Sequence, residues 1–190
     1  MYNPPESGTD SLEFFEIYNN DVSTVDMSGY TLDYNGNVHT FASGTNIAAS
    51  DYVVVAIDSA KFEAFYGYDP IQSTSAIGVG NGGATVTLYD SFSQIVNQLT
   101  YDDNAPWPTE PDGTGPSLVL CDPNLDNNDG NNWYYSTDLV GQDSGGNDVF
   151  ASPAAYDGAC ATVQSLAWDA TTFTEATAND GSISTVVNLT

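Results

Sequence analysis

The stretch from Glu13 to Phe41 limits the possible folds more than any other part of the chain. In Glu13-Phe-Phe-Glu-Ile-Tyr-Asn19, Phe15 and Ile17 share one face of a pleat, while Phe14, Glu16 and Tyr18 lie on the other. That pattern predicts a strand facing a core. Asp26, Ser28 and Gly29 supply turn chemistry, Tyr30 to Tyr34 forms a second strand, and Asn35-Gly36 turns it back into Asn37 to Phe41. Asn-Gly is the strongest short hairpin signal, because both residues tolerate the positive φ that a tight turn between twisted strands requires.

The rest of the chain keeps the same rhythm. Runs rich in Val, Ile, Phe and Tyr are broken about every eight to twelve residues by Gly, Asn, Asp and Ser, as in an all-β sandwich, and no long amphipathic helix is visible. Tyr52 to Ile57 reads as a buried, β-branched strand. Asp58 or Ser59 caps a helix of one or two turns, with Phe62, Phe65 and Tyr66 on one face and Gly67 as its stop. This aromatic face is expected to plug one end of the sandwich. Ser75 to Val79 is at most a short strand, Gly80-Asn-Gly-Gly83 is a turn, and Thr85 to Tyr89 with Gln94 to Tyr101 forms a second hairpin around Asp90-Ser-Phe-Ser93.

Charge narrows the partners. Lys61 is the one cation against 26 acidic residues, giving a formal net charge of −25. Nucleic-acid affinity rests on cations displacing counterions from phosphates, and an anionic membrane repels an acidic chain, so neither partner is expected. Such a surface suits salty surroundings, or it holds divalent cations. No apolar run is long enough to span a membrane, and no signal peptide opens the sequence.

The strand motifs resemble a family. Glu13-Phe-Phe-Glu-Ile-Tyr-Asn19, followed by Val25-Asp-Met-Ser-Gly-Tyr-Thr-Leu32 and the Thr85-Val-Thr-Leu-Tyr-Asp90 hairpin, is similar to the lamin tail domain from about Leu12 to Tyr101. The resemblance implies an immunoglobulin-like β-sandwich and no reaction. Met1 to Pro5 looks like the end of that family's first strand, so the chain is expected to have been cut from a longer one. Pro106-Trp107-Pro108, Gly113 to Leu120 and Asp126 to Trp133 resemble an extension found in bacterial members, which makes residues 102–160 a long C-terminal excursion. Trp107 and Trp133 are expected to pack over one edge of the sandwich, with carbohydrate stacking as the functional alternative. Eukaryotic members contact DNA and chromatin proteins, but with Lys61 as its one cation this chain lacks the basic surface that role needs.

Several residues are candidates for chemistry. Asp122, Asn124, Asp126, Asn128 and Asp129 place oxygen donors at close spacing before Gly130, which suits calcium, with Asp102 and Asp103 a weaker second place. The competing reading is a run of Asx turns that satisfies its own backbone. Cys121 and Cys160 are expected to form a disulfide, stabilising the fold by about 4 kcal/mol through loop closure. Ser11 and Ser59 stand in Asp-Ser-Leu and Asp-Ser-Ala, which resemble a short bacterial O-glycosylation signal. His39 reads as a solvated strand residue, and no triad or paired acids point to catalysis.

The sequence therefore reads as residues 1–160, a lamin-tail-like sandwich, followed by 161–190 as a linker and the first strands of another β module, with Glu175, Asn179 and Asp180 near an ion at the junction. The expected role is a non-enzymatic binding or spacer module of a large extracellular or cell-surface bacterial protein, with an adhesin as the type of protein in view. Its partners would be neighbouring modules of the same polypeptide and a surface glycan or protein. The alternative is an accessory domain of a secreted nuclease or phosphoesterase.

Overall fold

The computed structural model describes residues 1–8, 10–74 and 78–160. Its strands in chain order are β1 (Phe14–Tyr18), β2 (Val25–Asp26), β3 (Thr31–Tyr34), β4 (Asn37–Thr40), β5 (Asn46–Ile47), β6 (Tyr52–Ala56), β7 (Ile71–Gln72), β8 (Ala84–Tyr89) and β9 (Ile95–Tyr101), followed by β10 (Leu118–Leu120), β11 (Trp133–Tyr135), β12 (Leu139–Gln142) and β13 (Asp148–Phe150). The helix α1 (Ser59–Tyr66) lies between β6 and β7.

Two sheets make the immunoglobulin-like sandwich. One runs β1-β6-β7 and the other β4-β3-β8-β9. In the first, Phe15 lies opposite Val55 and Ile17 opposite Val53; in the second, Leu32 lies opposite Leu88 and Val86 opposite Leu99. Between them sits a core that includes Leu32, Tyr34, Phe41, Val55, Val86 and Leu88. Phe15 and Tyr34 meet across it with ring centroids 4.8 Å apart. Asn35 and Gly36 both take positive φ, 53° and 78°, so the turn between β3 and β4 forms as its dipeptide predicts.

The helix forms where the sequence places it. The Asp58 carboxylate accepts from the Lys61 N–H at 3.1 Å, and Gly67 ends the helix at φ 72°, a left-handed conformation that glycine takes without a Cβ clash. Its location differs from the expected end plug. Phe62 packs on Phe14, ring centroids 5.2 Å apart, in a second core with Val54, Ala56, Val149 and Ala151. These are the outer-face residues of β1 and β6 together with residues in and just after β13. Phe14-Phe15 and Val53-Val54-Val55 are apolar on both faces, so both need cover. The helix and the β12-β13 hairpin provide it on the outside.

The excursion after Asp102 folds back over the sandwich as the hairpins β10-β11 and β12-β13. Cys121 and Cys160 are joined in a disulfide with Cα atoms 5.1 Å apart, pinning the end of the excursion to its beginning. Trp107 is buried and its ring lies 5.7 Å from that of Trp133. Gly130 permits this packing, since a Cβ there would stand 2.8 Å from the Trp107 nitrogen and 2.9 Å from its ring. Residues 161–190, with the expected second module and Glu175, Asn179 and Asp180, lie outside the described residues, as do Ser75 to Ile77 of the expected short strand.

Candidate functional site

A cleft of about 660 Å³ is lined by β1, β9 and β10 and by the end of the excursion, from Ser152 to Cys160. Five consecutive residues, Phe14 to Tyr18, line it, so the cleft follows the strand's edge as well as one face. Leu32, Val86, Leu88 and Leu99 supply apolar surface from the opposite sheet, and Leu118 to Leu120 from β10. Glu16, Asp126 and Asp157 add carboxylates, while neither Lys nor Arg takes part.

The backbone along this cleft is unevenly satisfied. Glu13 C=O accepts from Ile57 N–H at 3.2 Å and Asn19 N–H donates to Asp51 C=O at 2.9 Å, so the odd-numbered residues of this stretch turn their polar groups toward β6. The even-numbered ones point the other way. Phe14 is met there by Met1, through Phe14 N–H to Met1 C=O at 3.1 Å and the Met1 amino group to Phe14 C=O at 3.3 Å. Beyond it, the main-chain groups of Glu16 and Tyr18 meet no backbone partner among the described residues.

The opposite edge is covered. The Asn128 side chain accepts from Thr100 N–H at 2.9 Å and donates to Gln98 C=O at 2.9 Å, imitating a neighbouring strand along β9. Asn127 donates to the Asn97 side chain at 2.7 Å, and Trp133 Nε1 donates to Asn127 C=O at 3.0 Å. The tryptophans thus help to blunt an edge, as their positions predict.

This arrangement decides how the 122–129 loop uses its oxygens. Asp122 accepts from Asn124 N–H at 2.9 Å, Asp126 from Asn128 N–H at 2.9 Å and Asp129 from Asn131 N–H at 3.0 Å. The backbone N–H groups of Asn124 and Asn131 hold Asp122 and Asp129 below the usual carboxylate range. Asn124 accepts from Asn20 at 3.1 Å, and Asn128 is engaged with β9. The five side chains are therefore not gathered around one point. Asp102 and Asp103 likewise hold Asn104, at 2.8 and 2.5 Å. Among the described residues no three His, Cys, Asp or Glu side chains converge as a metal site. These are the Asx turns of the competing reading.

The glycosylation candidates separate. Ser11 is 2% exposed and its hydroxyl donates to Glu6 at 2.6 Å, which leaves no room for a glycan. Ser59 is the half-buried first residue of α1, its N–H held by Gln72 at 2.8 Å. The expectation for His39 is corrected: it is 3% exposed, because its position on β4 faces inward opposite Leu32. Its Nδ1 accepts from Thr74 N–H at 3.2 Å, its ring meets Phe41 edge-on, and burial lowers its pKa.

Sequence reasoning missed Glu13. Its side chain is fully buried beneath Gly78-Val79, and both carboxyl oxygens face the Val79 N–H at 3.1 Å. A Cβ at Gly78 would collide with this carboxyl. Burial pushes Glu13 up to about 8, against the opposing effect of the Val79 hydrogen bond. Nothing local distinguishes it from the surface acids around it.

The lamin tail domain family matches residues 1–103, more than half of the chain and the whole sandwich through β9. This chain belongs to that family. The lamin tail domain is an immunoglobulin-like, non-catalytic fold, and the match ends where the excursion begins. No curated protein matches the chain. Among the described residues no helix is long and apolar enough to cross a membrane.

Proposed function

We propose that this lamin tail domain is a binding or spacer module of a large extracellular or cell-surface protein of the adhesin type. The observation that carries the reading is the Cys121–Cys160 disulfide. A structural disulfide closing an excursion over the core belongs with an oxidising compartment. The net charge of −25 fits a surface in contact with salt rather than with nucleic acid. Its partners in this reading are neighbouring modules of the same polypeptide and a surface glycan or protein, for which the cleft beside β1 offers aromatic, amide and carboxylate groups.

The test is where the protein is found. Protease shaving of intact source cells, or analysis of their medium, should yield peptides of this chain with Cys121 and Cys160 joined. Recovery from the lysed-cell fraction alone, with both thiols free to alkylate, overturns the proposal.

A further inference from the structure

Asn-Gly occurs twice in the sequence, at Asn35-Gly36 and Asn81-Gly82, and both pairs are exposed. The dipeptide carries a chemistry of its own. Glycine has no Cβ to hinder its nitrogen, which attacks the side-chain carbonyl carbon of the asparagine before it. A new N–C bond closes a succinimide ring, the bond from Cγ to Nδ2 breaks, and ammonia leaves with the proton that the glycine nitrogen has lost. Water then adds to one of the two ring carbonyls and opens the ring to aspartate or isoaspartate.

The fold treats the two pairs differently. Gly36 N–H donates to Asp33 Oδ1 at 3.1 Å, and Tyr34 and Asn37 are paired across the turn. The Asn35 amide lies against Gly80, where a Cβ would stand 2.8 Å from its Nδ2. To attack, Gly36 would first have to leave the hairpin. Gly82 N–H meets no partner among the described residues. Its turn is closed by one bond, Gly83 N–H to Gly80 C=O at 3.2 Å, and glycine at 80, 82 and 83 gives the backbone around Asn81 its widest choice of φ and ψ. Asn81 also carries a tie. Its Nδ2 donates to Asn3 Oδ1 at 3.0 Å and to Asp10 Oδ2 at 3.2 Å, and Asn3 in turn donates to Asp112 at 2.6 Å.

We propose that Asn81 is a site of spontaneous deamidation, and that its conversion unties Asn3 and Asp10 from the turn that enters β8. The product sets an oxygen where Nδ2 stood, facing the acceptor oxygens of Asn3 and Asp10, and adds a negative charge beside the Asp10 carboxylate. In isoaspartate the main chain is also longer by one carbon, which misaligns the turn. The extent of conversion records the age of the molecule.

Incubating the folded full chain at neutral and mildly alkaline pH, in water enriched in heavy oxygen, tests the proposal. Peptide mapping should show Asn81 gaining labelled oxygen as aspartate and isoaspartate, faster at the higher pH. Asn35 should lag by about tenfold or more, the equivalent of one hydrogen bond broken beforehand. In urea, where neither turn persists, the two should convert alike. A Cβ at Gly82 would meet nothing nearer than Asp103 at 3.9 Å, so Gly82→Ala keeps the fold and should slow Asn81 severalfold. Conversion, and equally Asn81→Asp, should speed exchange severalfold at Gly113, whose N–H donates to Asn3 C=O at 3.0 Å, and leave Thr100 on β9 unchanged. Three results overturn the proposal. An Asn81 that stays unlabelled in the folded chain while the urea sample converts removes the site. Equal rates at Asn35 and Asn81 in the folded chain remove the selection by hydrogen bonding. Unchanged exchange at Gly113, in both the converted protein and Asn81→Asp, shows that the amide ties nothing.

Discussion

The two sheets of the sandwich end differently. β9 closes its sheet against the excursion, where Asn128 supplies a donor and an acceptor in the places a next strand would use. β1 closes its sheet against Met1 at Phe14 and then runs on beside an open cleft. Edge strands invite unwanted pairing, and a chain that blunts one edge with an asparagine-rich loop, two tryptophans and a disulfide has the means to blunt both. The contrast assigns the excursion a structural task at β9, while at β1 the cover among the described residues comes from Met1, opposite Phe14.

The largest effect should come from pH, and it acts at the root of β1. Glu13 has a folded pKa of about 8 against an ordinary value of 4.5. The native protein therefore holds a proton that the unfolded chain has released, and between those values stability falls as pH rises. Below 4.5 this contribution is fully present, and it is gone above about 8. Urea midpoints measured across that window should fall in the native protein and fall less steeply in Glu13→Gln, where Glu16, which burial raises to about 7, still contributes a slope of the same sign, with β1 amides losing protection before those of β9. A slope unchanged by Glu13→Gln would show that other groups set the pH dependence.

Next in size is the covered edge. Replacing Cys121 and Cys160 together by serine should cost about 4 kcal/mol, or less where the reduced loop retains structure. The loss should appear first as faster exchange at Thr100, whose N–H depends on Asn128, with little change at Phe15 and Ile17. Equal loosening of both sheets would mean that the excursion supports the whole sandwich rather than one side of it.

What the sequence revealed follows the range of the interactions. The Asn35-Gly36 turn, the Asp58 and Gly67 caps and the alternation of β1 are local, and each is found where its residues place it. The disulfide was readable because two cysteines leave one pairing. The burial of His39 depends on which way a short strand faces, and the seat of α1 on a second apolar face that Phe14 and Val54 had signalled. Asn128 was read as an oxygen donor of its own loop, yet it reaches residues 28 and 30 positions away. No local pattern carries that information, and none marks the cleft, which depends on how far the two sheets and the excursion stand apart.

Asn128→Ala should have a smaller effect, about 1 kcal/mol, because the loop is exposed and water replaces much of what is lost. Its signature is at β9, where Thr100 N–H should lose protection. Asn128→Asp keeps an acceptor for Thr100 but faces Gln98 C=O with an oxygen instead of a donor, so it should fall between alanine and the native residue. If both variants leave Thr100 unchanged, the tryptophans rather than the amide cover this edge.

Calcium should have the smallest effect, for the same structural reason. Asp122, Asp126 and Asp129 each already hold a backbone N–H of their own loop, and Asn124 and Asn128 are turned toward Asn20 and β9. To gather all five around one ion, the loop would have to release Thr100 and Gln98 and uncover the edge it protects. The gain from binding would be set against that loss, since an ion stabilises only to the extent that it binds the native state more tightly than the unfolded one. Millimolar calcium at fixed ionic strength should therefore move the melting temperature no further than magnesium does, because screening treats the two alike. A rise specific to calcium, abolished by Asp126→Asn and accompanied by faster exchange at Thr100, would show that the loop serves as a metal site at the expense of β9.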